Sequence, residues 1–174
     1  FGERFGRYSP HVVAEIQRVP RVWVHAVSVG EIYVALNFMK TCREQRPELA
    51  FVLTTTTSTG HAIAVSNIDA GDVLLYFPVD FPAVVRRVMD VIHPQAIVLT
   101  ECEFWPNLIR EADTRAVPVM LINGRMSDSS YRGYKLLRGL FRRITEMMSL
   151  LCVQGESGAE RLRALDVPED RLCV

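Results

Sequence analysis

Six short apolar runs, each followed by a polar turn and then by a segment of helical spacing, leave this chain few folds to choose from. The runs begin at Arg21, Ala50, Val73, Ala96, Pro118 and Leu150. They recur at intervals of roughly 20 to 30 residues, enough for a strand and the helix that carries the chain back over the sheet. Such alternation predicts an α/β chain: a Rossmann-like, doubly wound parallel sheet with helices on both faces. By analogy with that fold the expected strand order is 3-2-1-4-5-6.

The first run, Arg21-Val22-Trp23-Val24-His25-Ala26-Val27, is continuous and rich in valine, as a strand covered on both faces is. It breaks at Ser28-Val29-Gly30, and Glu31 opens a helical pattern with Ile32, Val34, Ala35, Leu36, Phe38 and Met39. The second run, Ala50 to Thr56, ends in the hydroxyl-rich turn Thr57-Ser58-Thr59-Gly60, with a helix expected from His61. The third spans Val73 to Pro78; Asp80 is read as the cap of the next helix, with Pro82 in its first turn. The fourth, Ala96 to Thr100, leads through Glu101-Cys102-Glu103-Phe104 to Pro106, which is placed to open a helix. The fifth, Pro118 to Ile122, ends at Asn123-Gly124-Arg125. A polar loop follows, then a basic helix from about Tyr131 to Met148, the run Leu150 to Val153, and a helix with Leu162 and Leu165. Residues 1–20 read as a polar lead-in, extended or briefly helical, and residues 21–174 as the domain.

With 174 residues there is material for one domain with a sizeable core. Its 20 basic and 20 acidic residues cancel, so no overall charge draws it to nucleic acid. Cys42, Cys102, Cys152 and Cys173 are widely spaced and fit reduced thiols better than a disulfide framework or a zinc site. His11, His25, His61 and His93 form no ligand pattern, and no metal is expected. There is no signal peptide and no apolar run of bilayer length. The abrupt start at Phe1 and the apolar finish at Arg171-Leu172-Cys173-Val174, which resembles half of another strand, lead us to expect a piece of a longer protein.

Function is carried by where the polar residues fall. Strand bodies are apolar, and the unusual polar groups sit at their carboxyl ends: Ser28 and Glu31, the Thr54–Thr59 cluster, Asp80, Glu101 and Glu103, Asn123 and Arg125, Gln154 and Glu156. In this topology they converge on one edge. Hydroxyls, amides and carboxylates together suit a polyhydroxylated ligand such as a sugar. No strand is followed by GxGxxG, and Ser58-Thr59-Gly60 lacks the lysine of a phosphate-binding loop. Each group has a plainer reading: Glu31 can complement a helix dipole, Glu101 and Glu103 can be rim carboxylates, and Trp105 and Phe104 can be core. The basic segment 131–148 interleaves Arg132, Lys135, Arg138, Arg142 and Arg143 with Tyr131, Tyr134, Leu136, Leu137, Leu140 and Phe141. That pattern is a solvated basic face or a surface for anionic lipid headgroups.

Five motifs in register resemble the amino-terminal half of bacterial 3-deoxy-D-manno-oct-2-ulosonic acid (Kdo) transferases. They are His25-Ala26-Val27-Ser28-Val29-Gly30-Glu31, Leu53 to Gly60, Tyr76-Phe77-Pro78-Val79-Asp80, Glu101 to Leu108, and Asn123-Gly124-Arg125-Met126-Ser127. The likeness runs from about Pro20 to Leu165 and departs from the family at Gly124, where alanine is commoner. It implies the acceptor-binding half of a GT-B glycosyltransferase. The carboxyl-terminal nucleotide-sugar domain and an amino-terminal membrane anchor would lie outside this chain, which alone would not turn over. It implies transfer of Kdo from the donor CMP-Kdo to a lipid A precursor, lipid IVA, in lipopolysaccharide synthesis at the cytoplasmic face of the inner membrane. That transfer would be inverting, with no metal or other cofactor. Glu31 matches the family's proposed general base. Ser28, Gly30, Thr55, Glu101, Glu103, Asn123 and Arg125 would position the acceptor or the incoming Kdo, with the glutamate pair also a second choice for the base. Arg132, Lys135, Arg138 and Arg142 would meet lipid phosphates. The competing readings are a GT-B enzyme for another nucleotide sugar, and a non-catalytic sugar- or lipid-binding module in which Glu31 only caps a helix.

Overall fold

A computed structural model of the chain describes residues 2–101 and 104–174. In chain order the elements are α1 (Pro10–Gln17), β1 (Arg21–Ala26), α2 (Val29–Gln45), β2 (Ala50–Thr55), α3 (Ser58–Asn67), β3 (Val73–Tyr76), α4 (Pro82–Ile92), β4 (Ala96–Thr100), α5 (Pro106–Thr114), β5 (Val119–Gly124), α6 (Asp128–Leu136), α7 (Arg138–Glu146), β6 (Leu150–Val153), α8 (Glu156–Arg163) and β7 (Leu172–Cys173). All strand pairs are parallel, in the order β3-β2-β1-β4-β5-β6-β7. The expected order is present, extended on the β6 edge by the short apolar run near the end of the chain.

Strand alternation divides the core in two. On one face Trp23, Val52, Leu75, Ile97, Leu99 and Leu121 pack with Ile16 of α1, Val88 of α4, Ile109 of α5, Phe141 of α7 and Leu162 of α8. On the other, Val24, Phe51, Leu53, Val98 and Ile122 meet Ile32, Ala35 and Met39 of α2 and Ala64 of α3. Burying each Val, Leu or Ile contributes about 1.5–3 kcal/mol, and this two-sided burial is why the central strands read as unbroken apolar runs.

The lead-in is tied to the sheet. Arg21 is 1% exposed; its guanidinium donates to the carbonyls of Glu15, Ile16, Phe51 and Gly71 at 2.8 to 3.2 Å. Burial lowers its pKa from the ordinary arginine value, with Glu15 and Asp72 opposing. A 520 Å³ cavity at this amino edge is lined by Arg21, Arg43, Asp69 and Asp72, where Arg43 pairs with both aspartates and Arg21 with Glu15.

Three local expectations are corrected. The helix after β2 begins at Ser58, because the Thr57 hydroxyl accepts from the Gly60 amide (3.1 Å) and caps it. The basic segment is two helices: the backbone leaves helical geometry at Leu137 (φ −108°, ψ 30°), between Gly133 and Gly139, whose low helix propensity favours a break. Asp80 caps α5 rather than α4: α4 follows Phe81 with no side-chain cap, while the Asp80 carboxylate accepts from the amides of Asn107 and Leu108 of α5.

Candidate active site

The sheet order reverses between β1 and β4, and at such a switch point the two outgoing loops diverge and leave a crevice. Glu31 sits there. Ser28 caps α2 by accepting from the Glu31 amide (3.3 Å), and the Glu31 carboxylate turns back onto the loop. Its Oε1 accepts from the Ser28 amide (3.1 Å) and its Oε2 from the Val27 amide (3.0 Å). The Thr100 hydroxyl, at the end of β4, lies 2.8 Å from Oε2 and 3.0 Å from the His25 carbonyl. Glu31 therefore stitches both central strand ends together and is 4% exposed. The capping role is real, and it leaves a chemical opening. A carboxylate offers about four lone-pair directions, and with three taken the remaining one is on Oε1.

Glu101 follows Thr100 with φ 53°, in the left-handed region, so the strand alternation that would put Glu101 and Glu103 on one face ends at Thr100. Its carboxyl pKa is raised by burial and next by the negative charge of Glu31, with Arg125 opposing. Two carboxylates and one arginine are thus close enough to feel each other at the crevice. Glu103 and Cys102 lie outside the described residues. Asn123, at the end of β5, is also left-handed (φ 56°). Left-handed non-glycine residues cost about 1–3 kcal/mol each and cluster at sites that need a particular backbone geometry. After Asn123, a Cβ on Gly124 would meet Val153 Cγ1 at 2.9 Å and the Cys152 carbonyl at 3.1 Å, so a larger residue here would push its neighbours aside.

The other candidates divide. Ser28 and Gly30 are exposed at the crevice, and Arg125 is exposed beyond it. Thr55 is buried, its hydroxyl 3.1 Å from His61 Nδ1. Arg138 pairs with Asp166 (2.6 Å) and Arg142 with Glu146 (2.7 Å), so half of the candidate lipid cations have carboxylate partners already. Arg132 and Lys135 are exposed beside Leu136, Leu137 and Leu140, which are 86%, 57% and 54% exposed.

Sequence reading missed the supports behind the site. His25, fully buried, places Nδ1 3.1 Å from the Thr54 carbonyl, which can only accept; Nδ1 therefore carries the hydrogen. Nε2 has no partner among the described residues, and burial pushes the His25 pKa down to about 3. Its ring stacks on Phe77 (3.6 Å), which packs on Trp105 (4.7 Å). The Thr100 hydroxyl was hidden at the end of an apolar run; only its place at a strand's carboxyl end marked it.

A family model described as 3-deoxy-D-manno-octulosonic-acid transferase (kdotransferase) matches residues 1–174. The chain belongs to this family. Among its relatives are the 3-deoxy-D-manno-octulosonic acid transferase of Haemophilus influenzae, 27% identical over 99% of this chain, and that of Chlamydia pneumoniae, 31% identical over 98%. A probable mitochondrial counterpart from Arabidopsis thaliana is 31% identical over 95%. The chain spans 40%, 39% and 37% of the length of these relatives. Its Rossmann-like fold is that of the amino-terminal half of a GT-B glycosyltransferase. Among the described residues no helix is long and apolar enough to cross a membrane, and no group of three His, Cys, Asp or Glu side chains could hold a metal ion.

Proposed function

We propose that the protein containing this chain transfers Kdo from CMP-Kdo to the lipid A precursor lipid IVA, with inversion and without a metal, and that this chain is the acceptor half. The observation that carries the reading is the Glu31 carboxylate, held by the Val27 and Ser28 amides at the β1/β4 switch point, within a chain that belongs throughout to the Kdo transferase family. In the proposed step Glu31 takes the proton of an acceptor hydroxyl through its free Oε1 direction. The hydroxyl oxygen bonds to the anomeric carbon of Kdo, and the bond from that carbon to the CMP phosphate breaks, CMP leaving with the electron pair. The amides of Val27 and Ser28 and the Thr100 hydroxyl hold the carboxylate still, so its orientation costs nothing at the moment of reaction.

A second assignment has its own support: Glu31 is nearly covered, whereas Glu101 has the raised pKa of a stronger base. The two are separated in the full-length enzyme by Glu31→Gln and Glu101→Gln. A base contributes about 10²–10⁴-fold, so the variant of the true base loses at least about 100-fold in kcat. The variant of a residue that only contacts the acceptor changes mainly KM. If folded Glu31→Gln keeps wild-type kcat while Glu101→Gln loses it, the assignment passes to Glu101.

Membrane attachment at the cytoplasmic face of the inner membrane is part of the same proposal. The acceptor carries phosphates and acyl chains. The α6–α7 junction offers Arg132 and Lys135 beside three exposed leucines, matching that mixed chemistry.

A further inference from the structure

The last two strands of the sheet carry one cysteine each, and the register sets them side by side. β6 pairs with β7 in parallel, Leu151 opposite Leu172 and Cys152 opposite Cys173. Residues opposite one another in such a ladder send their side chains to the same face, and the next pair along points to the other face. Leu151 is buried in the core under α7 and α8 and Leu172 packs against it, so the cysteine pair turns away from that core. Accordingly Cys173 is exposed and Cys152 only half-buried, and both thiols are free.

The spacing suits a covalent bond. Neighbouring strands lie about 4.7–4.9 Å apart, inside the roughly 4.4–6.8 Å between Cα atoms that a disulfide spans. The bond also needs its Cβ atoms at about 3.8 Å, so one strand must lean toward the other. β7 can do so: it is two residues long and ends the sheet, with β6 its one neighbour among the described residues. The thiols also sense each other. Burial raises the pKa of Cys152, and the charge of Cys173 and a hydrogen bond with it raise it further.

We infer that Cys152 and Cys173 are a redox modification site, closing to a disulfide across the β6–β7 edge on meeting a small-molecule disulfide of the glutathione type and reopening in excess thiol. The exposed Cys173 thiolate attacks one sulfur of the reagent, and the first reagent thiolate leaves. Cys152 then loses its proton and attacks the Cys173 sulfur of the mixed disulfide, expelling the second. Two protein thiols are oxidised, one reagent disulfide is reduced to two thiols, and the protein's two protons end on them. The bond ties the edge strand covalently to the sheet. This site is separate from the Glu31 crevice and does not rest on the transferase reading.

The test treats folded, reduced full-length protein with oxidised glutathione, caps the remaining thiols and maps the peptides by mass. The peptides holding Cys152 and Cys173 should be joined, lighter by two hydrogens than the reduced pair and separated again by dithiothreitol. Cys42, on α2 against β1, β2 and β4, serves as the comparison thiol and should react at least tenfold more slowly than Cys173. Cys152→Ser removes the resolving thiol and should leave Cys173 as a stable glutathione adduct. Hydrogen exchange at the Leu172 and Cys173 amides should slow at least tenfold in the oxidised protein. A glutathione adduct persisting on Cys173 of the unsubstituted protein, with Cys152 still free, overturns the pair. So does Cys173 joined to another copy of the chain, or a pair that stays reduced. Linkage that leaves exchange at the two amides unchanged overturns the tie on the edge strand.

Discussion

His25 shows how a residue can shape stability without entering the chemistry. Its imidazole is neutral in the folded chain, with a pKa near 3 against 6.5 for the free side chain. Below pH 6.5 the unfolded chain takes up a proton that the folded one refuses, so stability is full above that value and falls as pH drops toward 3. Its contribution to the slope is about 1.4 kcal/mol per pH unit, and between pH 6.5 and 5 most carboxylates have not begun to titrate. His25→Phe keeps a flat ring on Phe77 and should flatten the slope of unfolding free energy over that interval; a variant as acid-sensitive as the wild type would contradict the buried neutral imidazole. Residue-level reading of the sequence found Glu31 because a carboxylate at a strand–helix turn is conspicuous. It could not find the three donors that hold it, since backbone amides carry no sequence signature and Thr100 looks like ordinary strand composition.

At the scale of elements, hydrophobic runs of period and length proper to buried strands made the sheet legible, and fold analogy supplied its order. What the sequence hid were long-range side-chain decisions. Asp80 stands two residues before Pro82, the pattern of a local cap, yet its carboxylate reaches α5. The apolar spacing of the basic segment continues through Leu137 and predicts one helix; the break follows from two flanking glycines whose joint effect a periodicity count does not weigh. The break leaves Leu136, Leu137 and Leu140 in solvent next to Arg132 and Lys135. Vesicles containing anionic lipid should bind the chain, more weakly at high salt. Combined Arg132→Ala and Lys135→Ala should weaken low-salt binding by roughly tenfold or more. Leu136→Glu with Leu140→Glu should weaken it at every salt concentration. Binding indifferent to both salt and these changes would exclude the junction as a lipid surface. Arg21→Leu, at the opposite edge, would take the donor from four carbonyls, two of those contacts buried and two part-buried, and should destabilise by about 3 kcal/mol or more in chemical unfolding.

The whole molecule is a parallel sheet whose polar residues are displaced to one edge, with its two conspicuous carboxylates at the point where strand order reverses. Nothing in that arrangement depends on overall charge, which is zero, and so composition alone said little about function. The account turns on Glu31 as the group that accepts the acceptor's proton while remaining the cap of its own helix. The direct measurement is kcat for Kdo transfer by the full-length enzyme with Glu31→Gln, taken together with its melting temperature. We expect kcat to fall by about 100-fold or more, with the variant still folded and cooperative on melting. A folded Glu31→Gln enzyme turning over within a few-fold of wild type would contradict it.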